Sequence, residues 1–356
     1  MPTSLFTPNF DRVMTVLKRE GEPDRVPFFE LFHDLPIMEG VMGRPAPADP
    51  DENRKFRIEF MASLGYDYVV GQHGYGFPGR AGLIAADTTA GDQNRGQRGW
   101  QDEHHGPINS WEEFEAYPWP DINNVSFDDI EKLKALLPDG MKVTATLPGG
   151  VLENLISLIG FEPLCYKLVE DPALVQAVVD KVGEGELSVY KRLCEYDHVG
   201  LLWLNDDMGF KTQTMITPKY LREYVFPWQK KLVEYAHSHG KLVVLHACGN
   251  LREVMDDLID DVGIDAKHSY EDIIQPVADF KRQYGSRIAV MGGIDVHVLA
   301  SATEDEVRAY TRKVIEQCAP GGGWALGSGN SVANYIPVAN FLAMLDEGRK
   351  CGVYGG

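Results

Sequence analysis

An α/β fold of eight strand–helix units is expected for this 356-residue chain, either a (β/α)8 TIM barrel or a doubly wound open sheet. Three observations lead there. Short β-type runs alternate with helical segments almost throughout. The runs are mostly apolar on both faces, as buried parallel strands are. There are eight of them, at 26–32, 66–71, 142–146, 200–205, 241–246, 263–267, 287–291 and 323–326. Periodicity alone does not separate the barrel from the open sheet, which has the same local pattern.

The helices between the runs have readable starts. Asp171-Pro172 and Thr217-Pro218 each set a capping residue before a proline at the first helical position. Thr303 with Glu306 fits a capping box, in which each side chain serves a backbone N–H near the other residue. From Pro218 to about His239, apolar Tyr220, Leu221, Val225, Trp228, Leu232 and Ala236 fall on roughly one helical face. One region breaks the rhythm. Residues 72–139, after the second strand, are Gly-rich and polar, with "GDQNRGQRGWQDEHHGP" among them. That is too long for a simple βα connection and reads as a lid over the barrel mouth, or else as a surface hairpin without a role. With no linker or repeat, residues 1–356 read as a single domain carrying this insertion.

Composition limits the partners. The formal net charge of -19 would repel nucleic-acid phosphates. No apolar run approaches the roughly 18 residues of a membrane helix, and residues 1–19 show no secretory signal. The five cysteines are odd in number and scattered, which argues against a disulfide framework and for a reduced, cytoplasmic protein.

Barrel chemistry sits at the C-terminal ends of the strands. In strand order, the residues there are Glu30, His33 and Asp34; Gln72 and His73; Gly149-Gly150; Asn205-Asp206-Asp207; His246 and Cys248; Lys267, His268 and Glu271; Asp295; and Ser328 with Asn330. A folding core has no need of that inventory, because each such group is costly to bury unpaired. Singly, however, Asp207 or Asp295 reads as a helix cap or loop ligand. In "LHACGN", His246 and Cys248 are two residues apart and share one side of a strand. Imidazole nitrogen and thiolate sulfur both suit zinc, but a catalytic zinc needs about three protein ligands. Two buried core side chains are the alternative.

The segments "LGYDYV", "WLNDDMGFKTQTMITPKYLREYVFPWQKKLVEYAHSHG", "LHACGN", "YGSRIAVMGGID" and "APGGGWALGSGNSVANYIPVANFLAML" resemble, in order and spacing, the uroporphyrinogen decarboxylase superfamily. The resemblance covers nearly the whole length and implies the (β/α)8 barrel. Decarboxylases proper carry an arginine-rich "RQAGRY"-type segment after the first strand and a late "GHG". Here those places read "FFELFHDLPIMEG" and Gly327-Ser328-Gly329, a poor grip for a substrate with many carboxylates. The other branch resembles zinc- and corrinoid-dependent methyltransferases: methylcobamide:coenzyme M methyltransferases and related O-demethylase or N-demethylating enzymes.

That branch implies zinc on His246 and Cys248. Coenzyme M methyltransferases add a cysteine after the eighth strand, where this chain has Asn330. Distantly similar cobalamin-independent methionine synthases use a glutamate after the sixth strand. Glu271 matches it by position, with His268 and Glu30 as other options. The expected function is methyl transfer between a small methylated substrate, an aryl methyl ether or amine, and the corrinoid (cobalamin) of a partner protein docked over the mouth. In that scheme His246, Cys248 and Glu271 hold zinc. Asp206, Glu30 and His268 move protons or orient substrate. His73, Asn205, Asp295 and Asn330 contact substrate, and Trp203, Phe28, Phe29 and Tyr75 either line an apolar pocket or belong to the core. The alternatives are transfer from a methylcorrinoid to a thiol or pterin, a metal-independent decarboxylase of a small acid, and a non-catalytic ligand-binding barrel. A homodimer is compatible with the resemblance.

Overall fold

The structure, a computed structural model, describes residues 7–79, 82–86, 97–101, 104–147 and 149–355, with the backbone alone for 82–86 and 97–101. Seven parallel strands form its main sheet: β1 (Tyr68–Gly71), β2 (Lys142–Thr146), β3 (Val199–Asn205), β4 (Leu242–His246), β5 (Ala266–His268), β6 (Ala289–Met291) and β7 (Trp324–Ala325). Each pairs with the next in chain order. A doubly wound sheet reverses its order at a switch point, so this monotonic order excludes that alternative and gives a curled, barrel-like sheet with helices outside.

The first expected strand, 26–32, is not a regular strand. It meets the far end of the sheet at an isolated parallel bridge, Phe28 with Leu326. Pro27 has no N–H to give a ladder, and only its carbonyl pairs, accepting from Leu326 N–H. On the other side a side chain stands in for a strand: the Tyr68 hydroxyl accepts from Glu30 N–H and donates to Glu30 C=O, both at 2.6 Å. One hydroxyl thus satisfies both backbone groups of Glu30.

Register sets which residues share the interior. Asn205 lies beside His246 and His246 beside His268, so these three side chains leave one face of the sheet at one level. Below them Trp203 packs against the rings of Phe29 and His268, at 5.0 and 5.4 Å between centroids. At the opposite end the buried Asp67 carboxylate accepts from Arg12 at 2.8 Å and lies 3.4 Å from Arg25. These charges tie the chain's start to the base of the sheet.

The helix starts mostly follow the residues. Asp171 accepts from Leu174 N–H, and the Thr303–Glu306 capping box is present. Thr217 departs from expectation, since its side chain makes no capping bond. The helix it precedes runs on through a π turn at Leu221–Val225 into Phe226–Ser238. The π turn sits just before Pro227, which lacks the N–H for an ordinary helical bond. Gly183 in the helix Pro172–Cys194 is explained by packing. A Cβ there would lie 2.0 Å from the Trp228 ring, so the glycine's cost of about 1 kcal/mol relative to alanine is offset by close helix–helix approach.

Between β1 and β2 lie an antiparallel hairpin, Gly82–Ala86 with Gln97–Gln101, and the short helices Trp111–Ala116 and Asp128–Leu133. Residues 80–81, 87–96 and 102–103 of the 72–139 stretch fall outside the described residues. No helix among those described is long and apolar enough to cross a membrane.

Candidate metal centre

Two glycines bring the site together. Gly249 has φ +82°, a left-handed conformation that favours glycine, and a Cβ on it would sit 2.0 Å from the Gly209 carbonyl oxygen. A Cβ on Gly209 would in turn lie 2.6 Å from Asn250 N. The loops after β3 and β4 are therefore pressed backbone to backbone, and Asn250 N–H donates to Phe210 C=O. The contact brings Asp207 against the turn after His246. Its Oδ1 accepts from Cys248 N–H at 2.7 Å.

His246, Cys248 and Asp207 form the one group of three candidate metal ligands found among the described residues, their donor atoms all within 4.8 Å of one another. Cys248 Sγ lies 3.6 Å from His246 Nε2, and Asp207 Oδ1 lies 3.8 Å from the same nitrogen. A tetrahedral zinc, at about 2.3 Å from sulfur and about 2.0–2.2 Å from nitrogen and oxygen, sets S···N near about 3.6 Å and N···O near about 3.4 Å. The nitrogen–sulfur edge matches, and the nitrogen–oxygen edge is within a few tenths of an ångström. Cys248 Sγ and the Asp207 carboxylate lie within 4.8 Å of each other, so the donor set has zinc-ligand chemistry and is close to zinc spacing on two of its edges.

The surroundings suit neutral ligands. His246 Nδ1 lies 2.8 Å from His268 Nδ1, so one donates and the other accepts. With Nε2 of His246 free for a metal, its Nδ1–H donates, and His268 carries its own proton on Nε2. That Nε2 lies near the Ser328 backbone but makes no hydrogen bond of ordinary geometry. Burial pushes His246 down to about 4, with Asp207 opposing and Lys267 adding to the shift. Burial also depresses His268 well below the usual range, so both rings are neutral at pH 7. The Cys248 thiol is raised by burial first and Asp207 second. Two donors face its sulfur, Asn330 Nδ2 at 3.2 Å and the Ser269 hydroxyl at 3.4 Å.

The other expected site residues are dispersed. Glu271 does not join the metal group. It lines an adjoining cleft of about 760 Å³ with Lys211, Tyr270, Asp295, His297 and Asn330. Asp295 is held by the backbone there, accepting from His297 N–H at 2.7 Å and Asp272 N–H at 2.8 Å. Asp206 turns away from Asp207 to cap the helix Val151–Ile159. It accepts from Leu152 N–H at 3.1 Å, Glu153 N–H at 3.0 Å and Gln229 Nε2 at 2.8 Å, while burial still pushes its carboxyl up to about 7. His73 donates through Nε2 to Thr146 C=O at 2.6 Å and accepts from Tyr75 N–H at 3.2 Å, which uses both ring nitrogens. Asn205 donates to Leu147 C=O at 3.3 Å, and its buried Oδ1 has no partner. Trp203, Phe28, Phe29 and Tyr75 are buried in the core.

Glu30 is fully buried against the last strand end. Its two carboxylate oxygens accept from Ser328 N–H at 2.6 Å and Ser328 Oγ–H at 2.5 Å. Burial outweighs those bonds and pushes it up to about 8. A raised carboxyl binds a proton in the folded state that the unfolded chain releases, so stability is lost as pH rises from about 4.5 to about 8. Against wild type, E30Q is expected to gain stability at up to about 1.4 kcal/mol per pH unit over that interval. Urea unfolding of both proteins at pH 5 and pH 8 measures it; parallel pH dependence would remove Glu30 as the source.

Sequence reading missed the place of Asp207, which by itself looks like another loop-capping acid. The available signal was the glycine pair, Gly209 two residues after Asp207 and Gly249 directly after Cys248.

The family model for uroporphyrinogen decarboxylase (URO-D) matches residues 103–351. The uroporphyrinogen decarboxylase of Thioalkalivibrio sulfidiphilus is 34% identical over 77 residues, 22% of each chain. The methylcobamide:CoM methyltransferase MtbA of Methanosarcina mazei is 27% identical over 176 residues, 49% of this chain and 48% of that one. The chain thus spans about half the length, or less, of these curated relatives. A solved methyltransferase from Methanosarcina mazei superposes with a TM-score of 0.72 over 95% of this chain and 97% of that one, at 16% identity, which is a likeness of fold.

Proposed function

Because the chain belongs to the uroporphyrinogen decarboxylase family, we propose that it is a methyltransferase acting at the mouth of a closed (β/α)8 barrel, with 26–32 as the first stave. It moves a methyl group between a small methylated substrate, an aryl methyl ether or an amine, and the corrinoid of a partner protein. The supporting observation is the His246–Cys248–Asp207 donor set at zinc-like spacing. A zinc ion there supplies a Lewis acid for the oxygen or nitrogen that gives up the methyl. His246, Cys248 and Asp207 hold it, with Asp207 in the place first expected for Glu271. His268 fixes the His246 ring through the Nδ1 contact, as outer partners of metal-bound histidines do. The substrate lies in the cleft beside Asn330, with Glu271 and His297 on its wall, and the insertion at 72–139, in part outside the described residues, is expected as a lid over the barrel mouth. Of Asp206 and His268, either of which a metal-independent decarboxylase would use as its acid, Asp206 is taken up by hydrogen bonds within the chain and His268 by its contact with His246.

The test is methyl transfer to free cob(I)alamin from a panel of aryl methyl ethers and methylamines, followed by the absorbance of methylcobalamin. Substrate-dependent formation of methylcobalamin is expected. No transfer from any donor, with carbon dioxide released from a small acid instead, would replace this reading with the decarboxylase.

A further inference from the structure

Lys267 is a buried lysine whose hydrogen bonds run to backbone rather than to a carboxylate. It lies on β5, and its neighbour in the chain, His268, faces the barrel interior beside His246. Side chains alternate along a strand, so Lys267 projects to the other face. There its Nζ sits over the Tyr270 ring, 4.5 Å from the centroid. An ammonium has three N–H donors, and this one reaches three carbonyl oxygens: Ser269 at 2.5 Å, Ala247 at 3.4 Å and His268 at 3.4 Å. Each has a bearing on the metal centre. Ala247 is the residue between His246 and Cys248. His268 holds His246 by its ring, and its carbonyl also accepts from Ala247 N–H. Ser269 has φ +83°, one of two non-glycine residues with positive φ among those described. That left-handed conformation is strained for a residue with a Cβ, and it persists only where surroundings impose it. In it the Ser269 hydroxyl reaches Cys248 Sγ at 3.4 Å.

We propose that Lys267 is a positioning residue for the metal centre: its ammonium clasps the Ala247, His268 and Ser269 carbonyls, holds Ser269 in its left-handed turn, and so fixes both the His246–Cys248 turn and the hydroxyl aimed at the sulfur. The proposal rests on the zinc-site reading for its function, but the clasp itself can be measured without metal. Lysine suits the position because a compact, three-donor cation meets three carbonyls; a planar guanidinium presents a different geometry.

The experiment compares wild type with K267M, a substitution of similar length without donors. Hydrogen-exchange mass spectrometry is run on metal-free protein, and Co²⁺ binding is read from the thiolate-to-cobalt absorption. Exchange in peptides covering 245–250 and 266–271 is expected to speed about tenfold in K267M, while distant helices such as Glu304–Cys318 keep wild-type rates. Cobalt affinity is expected to fall by about 10–100-fold, the range seen when outer partners of metal ligands are lost, and the absorption to shift. A general structural role would instead loosen the distant peptides equally. Adding S269G to K267M removes the Cβ penalty of the left-handed turn and is expected to restore protection at 266–271.

Wild-type exchange at both peptides in K267M would overturn the clasp. Local loosening with unchanged cobalt affinity would overturn its role toward the metal. Wild type that binds no cobalt would instead sink the zinc reading, leaving exchange to decide the clasp alone. If K267M does not fold, K267M/S269G is measured in its place. Failure of that variant to fold would also overturn the proposal, because Lys267 would then support the whole barrel.

Discussion

Replacing His246 and Cys248 together with alanine is expected to take bound zinc from about one ion per chain to none, in a protein that remains folded. A catalytic zinc needs about three protein ligands. The double variant leaves Asp207 alone, one oxygen donor where about three ligands are needed. Both removed side chains lie at the strand end, above the packed layer of Trp203 and Phe29, so the barrel core is untouched. The main structural cost is the His268 Nδ1 left without its partner, about 1–3 kcal/mol for a buried polar group. H268A is expected to keep the three ligands and lose about 10–100-fold in zinc affinity. The measurement is elemental analysis of protein made with zinc and never exposed to chelator, with circular dichroism as the check on folding. Equal zinc in wild type and the double variant would place the ion elsewhere. A folded wild type without zinc would remove the Lewis acid, leaving acid–base catalysis to be sought at His268.

The second large effect concerns Asp206. D206A is expected to destabilise the protein by about 3 kcal/mol or more, because it uncaps a helix and strands Leu152 N–H, Glu153 N–H and the Gln229 amide. The helix Val151–Ile159 has Gly150 at its N-cap, with no side chain to take over. Gly150 is itself required by the contact, since a Cβ there would meet Asp206 Cβ at 2.3 Å. D206N keeps one accepting oxygen and places an amide NH2 where the second was. A smaller loss, about 1–2 kcal/mol, is expected. Thermal and urea unfolding of both variants, set beside their methyl-transfer rates, separates structure from chemistry. A D206N protein as stable as wild type but inactive would return Asp206 to the reaction.

Much of the fold is legible in the chain. Seven of the eight apolar runs are strands of one parallel sheet, because continuous Val, Leu and Ile runs have nowhere to go but a sheet covered on both faces. The Asp171 cap and the Thr303 capping box are local, since donor and acceptor lie within three residues. The run at 26–32 is the exception and is not a regular strand: Pro27 interrupts the ladder and a tyrosine from β1 replaces it. At the site, His246 and Cys248 could be picked out by their spacing, but strand periodicity is not what joins them: the strand ends at His246 and Cys248 lies in the turn after it, where Sγ comes within 3.6 Å of Nε2.

Asp206 and Asp207 show where sequence stops. They are neighbours of identical chemistry, yet one caps a helix from the preceding unit and the other faces the His246–Cys248 turn. What the sequence determined by itself was a repeating strand–helix pattern and a pair of candidate ligands, since both arise from spacing along the chain. Only the tertiary structure decided which acid joins that pair, because the choice depends on how closely the Gly209 and Gly249 backbones approach across two loops, a distance that no local pattern encodes.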